Sequence, residues 1–386
     1  MRPLLISCMA MLVMSTTVPA YTLTSSVSPA DSLESRLMEL LGSNGVEVSG
    51  QFFIAFETGQ NGDAAFSDFF INRGYINVKA DLLPGISGRI TPDISVDRDG
   101  DGEGDLELRL KYCYVNADLP EFAFFSKPDV SFGLIARPWL AFEQKVNRYR
   151  VQGHMFVESI DIMNSADFGA SASSLLGGEM PDQYKKRVSS GYPGRYGSVS
   201  VGVFNGGGYH AIERNINKTL EGRLTLRPLP DIIPGLQFSY SGSYGKGNVQ
   251  EDVDWTMHLG FLSFEHEYAV FTATLYNGVG NSKGSDLTED GYPMDMKGTS
   301  FFLELKPTGY PISLIGRYDN AEEMLPEQSM HFGTHIPDLM NDERIIAGVA
   351  YHLTRKSKLL LDYERAKDHS GAITYDAVHF NVEYTF

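Results

Sequence analysis

A chain of 386 residues with a formal charge of -17 excludes nucleic acid as a partner, because nucleic acid needs a basic footprint. Hydrophobic residues make up 42%, too few for a helical membrane protein, and after the amino terminus no segment approaches the run of about 18 apolar residues that a spanning helix needs. Two cysteines rule out a disulfide scaffold.

The amino terminus has the pattern of a secretory signal over residues 1–20. Arg2 supplies the charge, residues 4–14 are apolar, and Val18, Pro19 and Ala20 supply the end of the segment. Its removal takes Cys8 and leaves Cys113 without a partner in the chain. Residues 21–44 form a lead and a short helix. Asp31 or Ser32 caps the helix, Leu33, Leu37, Met38, Leu40 and Leu41 make its apolar stripe, and Gly42 stops it.

From 45 to 386 the pattern is strand and turn. Leu106, Leu108, Leu110, Tyr112 and Tyr114 alternate with Glu107, Arg109, Lys111 and Cys113. Leu220, Leu224 and Leu226 alternate with Glu221, Arg223, Thr225 and Arg227. Leu236, Phe238, Tyr240 and Tyr244 alternate with Gln237, Ser239, Ser241 and Ser243. A period of two with one apolar and one charged face fits strands that meet lipid outside and water inside. Strands are predicted near 45–58, 65–82, 86–96, 105–117, 129–137, 166–178, 194–204, 217–227, 235–245, 254–264, 267–277, 298–306, 311–319, 343–354, 357–366 and 373–386, with the weakest alternation at 166–178 and 254–264. Short Pro-rich or basic connections, such as 83–85 and 307–311, alternate with longer polar ones at 59–64, 97–105, 205–216, 245–252, 279–296, 320–342 and 367–372. An even strand number with short turns on one side and long loops on the other describes a closed transmembrane antiparallel β-barrel of about 16 strands. Residues 138–165 form the longest insertion and are expected to fold inward as a constriction loop. The last strand alternates without a break. It places Val378, Phe380, Val382, Tyr384 and Phe386 on one face, and ends as outer-membrane barrels do, on an aromatic residue.

With the apolar set facing lipid, the lumen receives Arg73, Lys79, Arg89, Arg109, Lys111, Arg137, Arg223 and Arg317 from the strands. The inserted loop adds Lys145, Arg148, Arg150, Glu143 and Asp161. Charges lining a pore set which solutes pass, and arginine holds anions while staying ionised. Lumen charges also pair with one another for rigidity. The loop 97–105 carries Asp97, Asp99, Asp101 and Asp105. It matches the opening of a calcium loop but has Leu108 where the bidentate glutamate belongs. A hydrated turn or a weak Ca2+ site both fit. Nine histidines are scattered, and no HExxH, GxSxG, P-loop or CxxC spacing is present, so no enzyme is indicated.

Residues 70–78 (Phe-Ile-Asn-Arg-Gly-Tyr-Ile-Asn-Val), 130–142 with Gly133, Arg137, Pro138 and Trp139, 199–205, 316–318 and 359–363 are similar to strands of one family. Over 46 to 386 the chain resembles the porin O and P family, the phosphate-selective porins of the Gram-negative outer membrane. The resemblance implies a homotrimer in outer-membrane lipids that passes small solutes without a cofactor. It also implies recognition of Tyr384 and Phe386 by the barrel-assembly machinery. Acids interleave with the arginines here, so only a slight anion preference is expected. A sugar or organic-acid channel and a structural barrel with a closed lumen remain as alternatives.

Overall fold

Strands with one apolar face can bury it against lipid only if no sheet edge stays open, because an unpaired backbone group in hydrocarbon costs several kcal/mol. The chain meets that demand by closure. The computed structural model describes residues 45–97, 104–326, 341–368 and 372–386. The expected signal segment, the helix at 31–42, Asp99 and Asp101 lie outside them.

Sixteen antiparallel strands close into one barrel, each paired with its neighbours in sequence. They are β1 (Val46–Asn61), β2 (Ala64–Leu83), β3 (Ile86–Val96), β4 (Leu106–Asp118), β5 (Phe125–Ala136), β6 (Ala166–Leu176), β7 (Gly197–Phe204) and β8 (Thr219–Leu226). Then follow β9 (Leu236–Lys246), β10 (Asp254–Glu265), β11 (Ala269–Val279), β12 (Asp295–Leu305), β13 (Ile312–Met324), β14 (Asn341–His352), β15 (Lys358–Lys367) and β16 (Ile373–Thr385). The closing pair is β1 with β16, in a register that sets Gln51 opposite Thr385 and Phe56 opposite Phe380.

The outward face is apolar, as the alternation requires. Leu108, Leu110, Val201, Leu224, Leu275, Leu303, Val349 and Leu361 are exposed on it. At the end that carries Val46 and Phe386, here the terminal end, Phe122, Phe124, Tyr196, Tyr268, Tyr310, Tyr384 and Phe386 form an exposed aromatic ring. Such girdles mark the level of lipid headgroups. No helix among the described residues is long and apolar enough to cross a membrane; the crossing is made by strands.

Four features differ from the sequence pattern. The connection between β1 and β2 is not the expected loop at 59–64 but a tight turn at Gly62 and Asp63, made possible by a φ of +57° at Gly62. Within β4 the pairing passes from Leu110 opposite Pro92 to Tyr112 opposite Thr91, so Lys111 is a bulged extra residue. A bulge shifts the period by one. Tyr112 and Tyr114 therefore turn inward, and Cys113 and Val115 lie exposed outside. On β10 the inward residues are apolar: Trp255, Met257, Leu259 and Phe261 are buried. Its weak alternation reflects an inner face covered by protein rather than water. Finally, the connection 177–196 at the terminal end is long. It carries a short helix (Asp182–Arg187) and breaks the rule that turns on that side are brief.

Candidate functional site: the barrel lumen

The insertion after β5 folds into the lumen. Pro138 opens helix α1 (Pro138–Val146), where its missing N–H is no loss. Trp139, Leu140, Phe142 and Val146 of α1 are buried, followed by the 3-10 turn Arg150–Gln152 and the one-turn helix α2 (Phe156–Ser159). Glu158 accepts the Met155 N–H at 3.4 Å and caps α2. These apolar residues share one core with the inner face of β10 and with Phe302 and Ile315 of β12 and β13. Trp139 meets Phe261 edge-on at 5.0 Å, and Tyr149 lies 5.7 Å from Phe302.

Polar anchors fix the same segment to the wall. Arg137 pairs with Glu221, and its guanidinium lies 4.9 Å from the Trp255 ring. Arg223 stacks on Phe142 at 4.5 Å and on Tyr192 at 4.7 Å, and donates to the Pro138 carbonyl at 3.2 Å. Arg317 holds Asp319 at 2.6 Å and the His154 carbonyl at 2.6 Å. Lys358 donates to the Arg148 carbonyl at 2.9 Å, and the Tyr149 hydroxyl to Glu304 at 2.8 Å. Arg137, Arg223 and Arg317 are only 0%, 1% and 4% exposed. The expectation that these three line an open eyelet is corrected: they lie between loop and wall, and their charges are spent on carboxylates, carbonyls and aromatic rings. Glu143 lies in the same buried layer. Its removal from water pushes its carboxyl up to about 8, against the pull of Arg317 and with the repulsion of Glu158 and Asp319. Asp161 reaches the far rim and pairs with Lys283 at 2.7 Å.

The other lumen-facing charges stand on β2, β3 and β4 and on the inserted loop. Arg73 pairs with Asp93 at 3.0 Å. Asp93 also accepts the Tyr209 hydroxyl at 3.1 Å. Arg109 donates to Ser95 at 2.9 Å and lies 3.7 Å from Glu107. Lys111 is buried over the Tyr75 ring at 4.7 Å and donates to its hydroxyl at 3.1 Å. Arg150 reaches Glu158 only at 4.0 Å.

Toward the terminal end the balance becomes basic. Arg89 donates to Asn77 at 2.5 Å and Thr91 at 2.9 Å and stacks 4.6 Å from the Tyr112 ring. Lys79 lies opposite Arg89 across the β2–β3 pair. Glu47 faces Lys79 from β1 without closing an ion pair. Lys145 projects from α1 into the same space, exposed yet confined. That confinement lowers its ammonium pKa, and the charges of Arg89, Lys79, Arg148 and Lys356 lower it further. Among the described residues, Lys79, Arg89, Lys145 and Lys356 have no carboxylate ion-pair partner. Arg148, by contrast, is held by Glu265 at 3.2 Å and by the Val188 carbonyl at 3.0 Å.

The connection 177–196 reaches across this terminal mouth. Arg187 pairs with Glu267 at 2.6 Å, Arg355 donates to the Lys186 carbonyl at 2.9 Å, and Gly191 abuts the Lys145 side chain. Tyr184 lies under the Arg227 guanidinium at 5.0 Å. The predicted strands leave 179–193 as a connection, but the period-two pattern gave no sign that it crosses the mouth, nor of the inward Tyr112 and Tyr114 or of Tyr209. A bulge and an irregular segment leave no periodicity to read.

At the opposite end the lumen widens into a cavity of about 570 Å³ between β1, β2, β15, β16 and the loop tip. Glu57, Asp68, Glu364, Tyr375, His379, Phe66, Phe70 and Gln152 line it. Of the calcium-loop aspartates, Asp97 and Asp105 are described. They are joined through the backbone, the Asp97 N–H donating to the Asp105 carbonyl at 2.8 Å.

No protein-family model and no curated sequence matches the chain. Solved structures do. A loop L8 deletion mutant of OmpT, an outer membrane protein of Vibrio cholerae, superposes with a TM-score of 0.57 at 10% identity, over 88% of this chain and 99% of that one. The outer membrane channel DcaP of Acinetobacter baumannii gives 0.57 at 12% identity, covering 88% and 97%. An anion-selective porin from Comamonas acidovorans gives 0.55 at 11% identity, covering 88% and 99%. At these identities the likeness is one of fold. The shared fold, the apolar outer face and the aromatic ring make this chain an outer-membrane β-barrel.

Proposed function

We propose that the protein is an outer-membrane porin, a passive diffusion channel for small hydrophilic solutes with a slight preference for anions such as phosphate. The observation that carries the preference is the group Lys79, Arg89 and Lys145, with Lys356 at the rim. These cations share the terminal half of the lumen without a carboxylate ion-pair partner among the described residues. Unpaired cations in a confined space raise the local concentration of anions and hold them by charge-assisted hydrogen bonds. The loop 138–165 narrows the cross-section, and the strap 177–196 narrows the terminal mouth. With the termini toward the periplasm, an entering solute passes the acidic cavity first and the basic group second.

A homotrimer suits this reading, and one of the similar solved structures is described as a trimer form of OmpT. An organic-acid channel is the second reading. It is favoured by Tyr112, which the β4 bulge turns inward to stack under Arg89. A cation over an aromatic face suits a carboxylate carried on an apolar body.

Reversal potential in a KCl gradient across a planar bilayer tests the preference. The native protein is expected to reverse on the chloride side. Neutralising Lys79, Arg89 and Lys145 together (K79Q, R89Q, K145Q) is expected to move it toward potassium. A native protein already selective for potassium would contradict the anion reading.

A further inference from the structure

The cavity at the far end of the lumen does not belong to the basic group. Its wall brings like charges together. In the β1–β2 register Glu57 stands directly opposite Asp68, with both side chains turned into the cavity. Like charges directly opposite in a sheet are destabilising. Glu364 adds a third carboxylate, partly answered by Arg344 at 3.2 Å. His379 stands beside Glu57 at 3.9 Å, but its other nitrogen is 3.0 Å from Asp362. Asp68 forms no ion pair among the described residues.

The rest of the wall is aromatic. Phe66 stacks on Tyr375 at a centroid distance of 5.7 Å, and Phe70 lies further along the same face of β2. Carboxylates beside aromatic faces attract a cation twice, by charge and by the ring quadrupole. An independent observation comes from the loop tip. Gln152 lines the cavity, is only 6% exposed, and neither its amide nitrogen nor its amide oxygen has a hydrogen-bond partner. A buried amide left unsatisfied is unfavourable, and a ligand carrying N–H groups would satisfy its oxygen. The volume suits a small metabolite.

We infer that this cavity is a binding site for small organic cations, an ammonium or guanidinium group on a short hydrocarbon body. The carboxylates of Glu57 and Asp68 take the charge, Phe66, Phe70 and Tyr375 take the body, and Gln152 accepts a remaining N–H. The site goes beyond the proposed anion preference and makes the channel selective by zone. A cation is held at the far end, and anions are favoured at the terminal end.

Agmatine, which carries both a guanidinium and an ammonium, is the probe. Added to the far side of single channels of the full-length protein, it is expected to interrupt the current in proportion to its concentration. The half-effective concentration should rise at least about tenfold in Glu57→Gln/Asp68→Asn and more modestly in Gln152→Ala. Calcium chloride at equal concentration should interrupt far less, since a strongly hydrated ion has no hydrocarbon body to bury against the aromatic wall. If agmatine leaves the current untouched, acts equally on the double variant, or acts no better than calcium, the inference is overturned. Calorimetric titration of agmatine into the detergent-solubilised protein measures the same binding where no current is seen, so failure of the channel reading and failure of the site are told apart.

Discussion

Replacing Arg137 by alanine is expected to unseat the constriction loop while leaving the barrel closed. Arg137 stands between β5 and α1, and its backbone N–H closes the base of the loop by donating to the Ser165 carbonyl at 3.0 Å. Its side chain is fully buried against Glu221, Trp255 and Phe204. Alanine removes the cation and strands the Glu221 carboxylate away from water. Breaking a buried pair on one side costs about 3–5 kcal/mol. Most of that cost falls on the loop, because the β7–β8–β9 pairing around Glu221 is made by the backbone. The open current of Arg137→Ala is expected to be larger and noisier. Trypsin should cleave after Arg148 or Arg150 at least about tenfold faster than in the native protein, as local opening follows the lost free energy. Adding Glu221→Gln should restore part of the protection by removing the stranded charge. Native current noise and native trypsin resistance in Arg137→Ala would show that the pair does not seat the loop.

Deleting Phe386 is expected to cut the amount of folded protein in the membrane without changing the current of the molecules that do insert. The Phe386 N–H donates to the Gly50 carbonyl and the Gly50 N–H to the Phe386 carbonyl, both at 3.1 Å. They form the last rung of the β1–β16 seam. The Phe386 ring covers Gly50, where a Cβ would collide with it, and stacks on Phe52 at 6.4 Å. An aromatic side chain over a glycine in a sheet compensates for the glycine's missing packing. Loss of two backbone hydrogen bonds costs about 1 kcal/mol each, and the freed edge meets lipid. A fall of up to roughly thirtyfold in inserted protein, read as the heat-modifiable band in isolated outer membranes, follows from that sum. Phe386 points outward, away from the lumen, so conductance should hold. Full insertion with altered conductance would place the residue's role elsewhere.

The wall of the barrel was legible because lipid outside and water inside impose a strict period of two. The β9 serines and the last strand show it plainly: Ser239, Ser241 and Ser243 are buried inward, as are Asn381 and Glu383. The pattern misleads where one of those two solvents is absent. On β10 the inner solvent is the loop itself, so apolar Trp255 and Met257 face inward and the contrast between faces fades. At Lys111 one extra residue in β4 exchanges the two faces, and nothing in the composition of that stretch marks the exchange. The loop at 138–165 was visible by its length, but not the fact that it consumes Arg137, Arg223 and Arg317 as anchors. A charge on a lumen-facing position reads the same in sequence whether water or a buried carboxylate answers it. The basic group that remains, Lys79, Arg89 and Lys145, was among the candidates. Its separation from the others depends on which cations the loop covers.

The cavity at the far end and the basic group near the termini both draw on the lumen face of β2. That arrangement makes an aqueous path the central claim. Single-channel recording of the purified full-length protein in a planar bilayer tests it most directly. The structure leads to discrete, stable openings whose conductance rises in proportion to KCl concentration, as passive diffusion through a water-filled path requires. Membranes that contain folded protein, verified by its heat-modifiable band, and yet pass no current would contradict it.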